Sequence, residues 1–371
     1  MLKQLKSTLI FFLAIIWLFG NLLVAPASAT ATTATLSDLW SGAAHLGPAE
    51  LVSFTGNPAD AAFSDPGRFS VVEGANETLY GYFRQYRPKD GRELFDIYMA
   101  ISYDRGKTFV VQPQPIIAQS QTVFTAYDPD VIKRSDGYYM VFESFPSGCS
   151  TSSSIAFSAD GINNWIIEGV PVCSTSGGES ASTPTFIEIP NGELYIQWVN
   201  VEEYPKMTTR HQAKMDTSNL FETITYNTKD GQLPQSPAGS WDDNNFGAGS
   251  AVYENGYYYL LFEGANYYRC APPAGSGLTS VWGIGFARTN DITNPSSWVK
   301  NSQNPLILAQ QYDSCWVGYP KIISIDGKYF LYYSDWFTNW NPTGTESIFR
   351  REIMFPPDTT PPAAPSGLSV N

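Results

Sequence analysis

One short phrase recurs five times along the chain: a polar entry, a β-rich run, a tight turn and a second, aromatic run. It begins at Ser64 (SDPGRFSVVEGANETLYGYF), Tyr127 (YDPDVIKRSDGYYMVFES), Ser182 (STPTFIEIPNGELYIQWV), Gly249 (GSAVYENGYYYLLFEG) and Gly318 (GYPKIISIDGKYFLYYSD). The turns are Asp136-Gly137, Asn191-Gly192, Asn255-Gly256 and Asp326-Gly327, with a longer Gly74-Ala75-Asn76-Glu77 in the first copy. Asn-Gly and Asp-Gly between alternating runs mark hairpins, because these residues tolerate positive φ. Hairpins repeating about every 55 to 70 residues, with no helical stretch between them, predict an all-β fold, a five-bladed β-propeller with one sheet per blade.

The ends of the chain differ from this repeat. Lys3 and Lys6 precede an apolar run from Leu9 to Val24 and the small-residue triplet Ala27-Ser28-Ala29, so residues 1–29 read as a secretion signal. Residues 30–357 then form the propeller. Residues 358–371 are rich in proline and small residues, and read as a stiff linker or the opening of a fibronectin type III-like domain. Cleavage removes two lysines and takes the net charge from −13 to −15. Such an acidic, aromatic-rich chain argues against nucleic acid or an anionic membrane as partner, and leaves a neutral polymer bound by a secreted or periplasmic monomer. Four cysteines suit an oxidising compartment. Proximity in sequence favours Cys149–Cys173 and Cys270–Cys315 among the three connectivities that four cysteines allow. The sequence shows no metal-ligand spacing: Cys-x-x-Cys is absent, and His45 and His211 are the only histidines.

A second repeat supports the first. Ile101–Phe109 carries the pattern Ser-x-Asp-x-Gly-x-Thr-aromatic, a turn whose aspartate caps backbone N–H groups between outer strands of a blade. Phe157–Trp165 is a looser version, and Phe286–Trp298 takes the same place in blade four. Asp104 and Asp160 are therefore expected to be structural. The starts of the innermost strands converge on one mouth of a propeller, and they hold Asp65-Pro66, Asp128-Pro129, Thr183-Pro184, Ser250 and Tyr319-Pro320. Two Asp-Pro pairs in the same register make Asp65 and Asp128 the leading candidates for chemistry.

On Asp65-Pro66, on Tyr127-Asp-Pro-Asp-Val-Ile with Asp136-Gly-Tyr-Tyr, and on the Ser-x-Asp-Gly…Trp turn of blade two, the chain resembles the five-bladed propeller glycosidases. These are glycoside hydrolase family 43 and its relatives, and the resemblance spans roughly Leu51 to Phe355. It implies a general base at Asp65, and at Asp128 a carboxylate that orients the acid and tunes its pKa. It also implies a glutamate before the blade-three proline as general acid. Ser182-Thr183-Pro184 stands there instead. Glu179 and His211 become the candidate acids, and Glu143 and Glu263 end the second strands of blades two and four. A structural Ca²⁺ in the channel is compatible with the resemblance, although no ligand set is visible, and no other cofactor is implied.

An inverting glycosidase needs one carboxylate to activate water and a protonated acid roughly 6.5 to 9.5 Å away to protonate the leaving oxygen. Facing blades supply such a gap. Aromatic faces complement the apolar face of a pyranose, and those near strand starts, Tyr127, Trp241, Trp316, Tyr319 and Trp336, are the candidate sugar platforms. Arg210 and Arg269 could meet hydroxyls or a carboxylate. The sequence thus predicts a secreted glycoside hydrolase. A carbohydrate-binding propeller without catalysis is the alternative, favoured by the missing glutamate. A glycoside phosphorylase is disfavoured by the scarcity of basic residues.

Overall fold

The computed structural model describes residues 32–58, 66–86, 95–118, 125–174, 180–201, 208–215, 224–228, 233–234, 236–266, 281–309, 316–336 and 346–357. Within the compact unit Ala34–Asn371, five sheets, antiparallel except for one added edge strand, follow one another in chain order. Blade one comprises Ser70–Glu73, Leu79–Tyr86, Phe95–Ser102 and Thr108–Val111, and blade two Ala126–Arg134, Gly137–Ser144, Thr151–Ser158 and Ile166–Ser174. Blade three comprises Ser182–Glu188, Leu194–Val201, Thr208–Met215 and Ile224–Thr228. Blade four is built on Asn245–Glu254, Tyr257–Asn266 and Val281–Thr289, and blade five on Val317–Ile325, Lys328–Trp336 and Glu346–Met354. The first strand of each blade touches the first strand of the next, and the fifth returns to the first, which closes the ring. The fold is the predicted five-bladed propeller.

The hairpin turns behave as their residues require. Asn255-Gly256 and Asp326-Gly327 hold positive φ at both central positions, 49° and 87°, and 54° and 74°. Asn76 and Glu77 do the same in blade one, at 52° and 61°, so the longer turn contains the same geometry. Paired aromatics on the second strands divide between neighbours, because successive side chains point to opposite faces. Tyr138 packs toward blade one and Tyr139 toward blade three. Tyr258 packs toward blade three and Tyr259 toward blade five, while Tyr332 joins blade one and Tyr333 blade four. The core is therefore five interblade layers, one at each junction.

Ring closure is divided between two blades. His45–Leu46 and Glu50–Leu51 both pair with Glu346–Met354 in blade five. Ser53–Thr55 instead runs parallel to Thr108–Val111 at the outer edge of blade one. Val52, buried between the two pieces, marks the crossing. Cys149 and Cys173 form a disulfide in blade two. Cys270 and Cys315 lie outside the described residues, as do the signal-like residues 1–29 and the tail 358–371.

The Asp-box prediction holds in atomic detail. Asp104 Oδ1 accepts the N–H groups of Lys107 (3.1 Å) and Thr108 (2.9 Å), and Asp160 Oδ1 those of Ile162 and Asn163 (2.8 Å each). Slight burial pushes both carboxyls upward, but these hydrogen bonds outweigh it and hold them below the ordinary range. Both aspartates are turn caps.

Candidate functional site

The site is built on a bulge repeated around the ring. Strand pairing skips between Tyr127 and Asp130, Ser182 and Thr185, Phe246 and Gly249, and Gly318 and Lys321. In blade one the Arg84 N–H bonds to the Gly67 carbonyl while Ser70 pairs with Tyr82, which leaves Arg68 and Phe69 in the same bulged position. Asp128, Thr183, Tyr319 and Arg68 all adopt positive φ, at 47°, 44°, 49° and 45°. Bulges at barrel and propeller rims re-aim side chains, and proline fits there because the bulged residue needs no ladder donor. One backbone device thus sets these four residues in a common register.

This corrects the sequence register of blade one. Arg68, not Asp65, stands at the position equivalent to Asp128. Asp65 itself lies outside the described residues, and so does Glu179. The marker that repeats is not Asp-Pro but the polar residue two places after the bulged one: Ser70, Asp130, Thr185, Ser250 and Lys321. These form a polar belt across the channel. Asp130 accepts from Ser70 Oγ (3.1 Å), Thr185 Oγ1 (2.7 Å), the Phe186 N–H (2.9 Å) and Lys321 Nζ (2.6 Å). Burial pushes the Asp130 carboxyl upward, yet Lys321 and Arg68 hold it below the ordinary range. Its role is to tie four blades together.

Above the belt, one position on the second strands reaches toward the bulges. In blade one it is Arg84, whose Nη1 donates to Asp128 Oδ1 (2.8 Å) and to the Tyr319 hydroxyl (3.1 Å), with Glu346 Oε2 3.9 Å from Nη2. In blade two it is Glu143, which accepts the Thr183 N–H at Oε2 (3.1 Å) and the Ser182 hydroxyl at Oε1 (3.4 Å). In blade four it is Glu263, whose Oε2 accepts the Ala248 N–H (3.0 Å) and whose Oε1 accepts the Tyr319 N–H. Glycine is required around Glu263: a Cβ on Gly247 would lie 1.9 Å from Oε2, and one on Gly318 2.5 Å from Oε1.

Both glutamates are held as weak acids. Burial, reinforced by the charge of Asp128, pushes the Glu143 carboxyl up to about 7 against the pull of the Thr183 N–H and Arg84. Burial likewise raises Glu263 to about 7, against the Tyr319 N–H and Arg68. The two differ in exposure: Glu143 is half-buried as a residue and Glu263 is 3% exposed, while in both the two oxygens accept hydrogen bonds. Asp128, bound by Arg84, stands beside Glu143.

The remaining sequence candidates divide. Tyr127, Trp316 and Tyr319 are half-buried at the mouth, with Trp316 edge-on to Tyr319 (4.8 Å, 69°) and Tyr127 against Phe95 (4.7 Å). Burial raises the phenols of Tyr127 and Tyr319, so both stay neutral hydrogen-bonding groups. Trp241, half-buried, lies on Gly264, Gly283 and Gly285 of blade four and is tilted against Phe262 (5.7 Å, 31°). Trp336 ends the second strand of blade five, and its side chain is outside the described residues. His211 is buried on the third strand of blade three with its ring 5.7 Å from that of Trp198, and this strand also contacts Asn245–Glu254, the first strand of blade four. Arg210 is fully buried and donates to the Gly247 carbonyl and to Gln197 Oε1 (2.9 Å), bracing blades three and four rather than facing solvent. Arg269 falls outside the described residues.

Among the described residues no ligand set for a channel Ca²⁺ is present. The centre of the belt is taken by the Lys321 ammonium on Asp130, and no group of three or more His, Cys, Asp or Glu side chains among the described residues could hold a metal.

No protein-family model matches the chain, and no curated protein sequence matches it. Solved structures do. A thermostable family-43 glycoside hydrolase superposes with a TM-score of 0.57 at 15% identity, covering 85% of this chain and 98% of its own. The fold is that of the family-43 glycoside hydrolases. An exo-1,5-α-L-arabinanase from a bovine ruminal metagenomic library gives 0.56 at 15% identity, covering 82% and 97%. An endo-1,4-β-xylanase from Bacteroides thetaiotaomicron gives 0.57 at 17% identity, covering 77% and 90%. At such identities the likeness extends to the backbone, and the chemistry must be argued from the mouth itself.

Sequence reasoning placed Asp128, Tyr127, Trp316 and Tyr319 at the mouth. It passed over Arg68 and Arg84 and ranked Glu143 behind Glu179. The available signal was the second-strand register: Arg84 in GYFRQY, Glu143 in MVFES and Glu263 in LLFEG occupy one position.

Proposed function

We propose that the protein is a glycoside hydrolase acting on a poly- or oligosaccharide, with Glu143 as general acid. The observation that carries this reading is the Glu143 carboxyl, on a half-buried residue next to the Ser182-Thr183 corner and raised to about 7 beside Asp128. A carboxylic acid still protonated near neutrality can protonate a leaving glycosidic oxygen, and burial with a like charge is how proteins prepare one. Asp128 serves as the charge that keeps Glu143 protonated, with Arg84 fixing its orientation. Asp65 is proposed as the carboxylate that activates water, on the resemblance alone, with inversion as the expected outcome. Tyr127, Trp316 and Tyr319 supply aromatic surface for sugar rings. Export is supported by the Leu9–Val24 run and the Cys149–Cys173 disulfide, since disulfides persist in oxidising compartments.

One observation favours a second reading, a carbohydrate-binding propeller without catalysis. Arg68 occupies the blade-one position in register with Asp128, and Glu143 also has a structural task in accepting the Thr183 N–H. Sugar release from arabinan, xylan, galactan and algal polysaccharides separates the two. Release by wild type that is lost in Glu143→Gln and Asp65→Asn supports the hydrolase. Binding without release by any form supports the second reading.

A further inference from the structure

We propose that the rim of the propeller carries a second carbohydrate site, a cleft between blades one and two that holds a neutral glycan chain through the amides of Gln114 and Asn164. This rests on the reading of the propeller as carbohydrate-active and adds a place, apart from the mouth, where the polymer is held. The cleft has a volume of about 320 Å³, and none of its lining comes from an innermost strand. One wall is the run Gln112–Ile116, which follows the outer strand of blade one. The other is the turn Ile162–Trp165 between the third and fourth strands of blade two. Met99, fully buried, closes the floor.

Both walls are set before any ligand arrives. The Gln112 N–H donates to the Met99 carbonyl (2.9 Å) and the Ile116 N–H to the Ile97 carbonyl (2.8 Å). Pro113 and Pro115, between those anchors, need no acceptor and fix φ, so Gln114 stands on a short stiff arch. On the opposite wall the Tyr82 hydroxyl (2.8 Å) and the Trp165 indole N–H (3.3 Å) both donate to the Gly161 carbonyl. Asp160 caps the N–H groups of Ile162 and Asn163 in the same turn. Asn164 follows at a φ of 52°, a conformation asparagine tolerates. Gln114 and Asn164 are exposed, and neither amide has a hydrogen-bond partner among the described residues. Little order is lost when a ligand meets walls held in this way.

The lining selects the chemistry. An amide carries both N–H donors and a carbonyl acceptor, which matches the double character of a sugar hydroxyl. Ile116 and Ile162, partly buried, supply apolar surface between the amides. No charged side chain lines the cleft, although 15% of the chain is charged. A charged ligand would give up water here without gaining a countercharge, so a neutral polyhydroxyl chain is preferred. Ligand pockets run from roughly 300 to 1,000 Å³, and this one, at the small end, takes a short stretch of a chain. Holding that stretch raises the local concentration of the rest of the polymer at the mouth.

The test is affinity electrophoresis in gels of arabinan, xylan, galactan or the polyanion polygalacturonate, with rates on each neutral polymer and on its trisaccharide. Gln114→Ala combined with Asn164→Gly removes both amides, and glycine accepts the positive φ at 164. On the neutral polymer that wild type binds, affinity should fall about 10-fold in this variant, as expected for two lost hydrogen-bonding groups. KM for that polymer should rise while kcat and the trisaccharide rate stay, and migration in polygalacturonate should not change. Unaltered affinity in the folded variant, an equal loss on polymer and trisaccharide, or no retardation by any neutral polymer would overturn the proposal. If the double variant does not fold, Gln114→Ala alone must still weaken retardation, and no change there overturns it equally. Retardation weakened in the variant while wild type releases no sugar would sink the hydrolase reading and leave the cleft standing. Sugar release with retardation unmoved by the variant would do the reverse.

Discussion

Replacing Glu143 by glutamine should abolish activity and stabilise the protein at alkaline pH. The side chain accepts the Thr183 N–H at one oxygen and the Ser182 hydroxyl at the other. Glutamine preserves both contacts, with Oε1 facing the N–H and Nε2 facing the serine oxygen, and removes only the ionisation. The native carboxyl titrates at about 7 against an ordinary 4.5. Between those values the folded protein holds a proton that the unfolded chain has released, so stability falls as pH rises through this window. Above it the full penalty applies, at most ~3.5 kcal/mol at about 1.4 kcal/mol per tenfold change in proton affinity. Urea unfolding of wild type and Glu143→Gln should therefore coincide near pH 4.5 and diverge by pH 8, with the variant more stable by up to ~3.5 kcal/mol. Equal midpoints at both pH values, or a variant less stable at pH 8, would refute the claim that burial and Asp128 hold Glu143 as a neutral acid.

Asp128→Asn removes the charge that raises Glu143 and releases Arg84, which lowers it; the alkaline limb of the pH–rate profile should move to lower pH, as read from initial rates across the pH range. Asp130→Ala leaves the Lys321 ammonium buried without its partner and should cost about 3–5 kcal/mol, visible as a large fall in melting temperature. Asp104→Ala loses a turn cap far from the mouth and should cost about 1 kcal/mol by urea unfolding, with sugar release unchanged.

The architecture was legible because its determinants are local. Asn255-Gly256 and Asp326-Gly327 fold as the hairpin turns their residues favour, and the tyrosine pairs face opposite neighbours because strand periodicity leaves no alternative. The Asp boxes were legible for the same reason, since Asp104 and Asp160 bond within four residues of themselves. The mouth was only partly so. Asp65-Pro66 imitates Asp128-Pro129 in sequence, yet pairing of Ser70 with Tyr82 sets the register and brings Arg68 into line. Glu143 and Glu263 look like ordinary strand ends. Their importance comes from N–H groups supplied by Thr183, Ala248 and Tyr319, contacts between residues 15 to 56 positions apart that no local pattern encodes. The packing of Trp241 on three blade-four glycines and the burial of Arg210 were not legible, because an isolated Trp or Arg carries no mark of the surface it packs on.

The dependence of Glu143→Gln on leaving-group acidity tests the central claim most directly. Once the sugar is known from the polymer panel, the variant is compared with wild type on the natural glycan and on an aryl glycoside whose acidic phenol departs without protonation. If Glu143 is the general acid, cleavage of the glycan should fall by about 10²- to 10⁴-fold while the aryl glycoside is cleaved at nearly the wild-type rate. An equal loss on both substrates, or no loss on either, would contradict it.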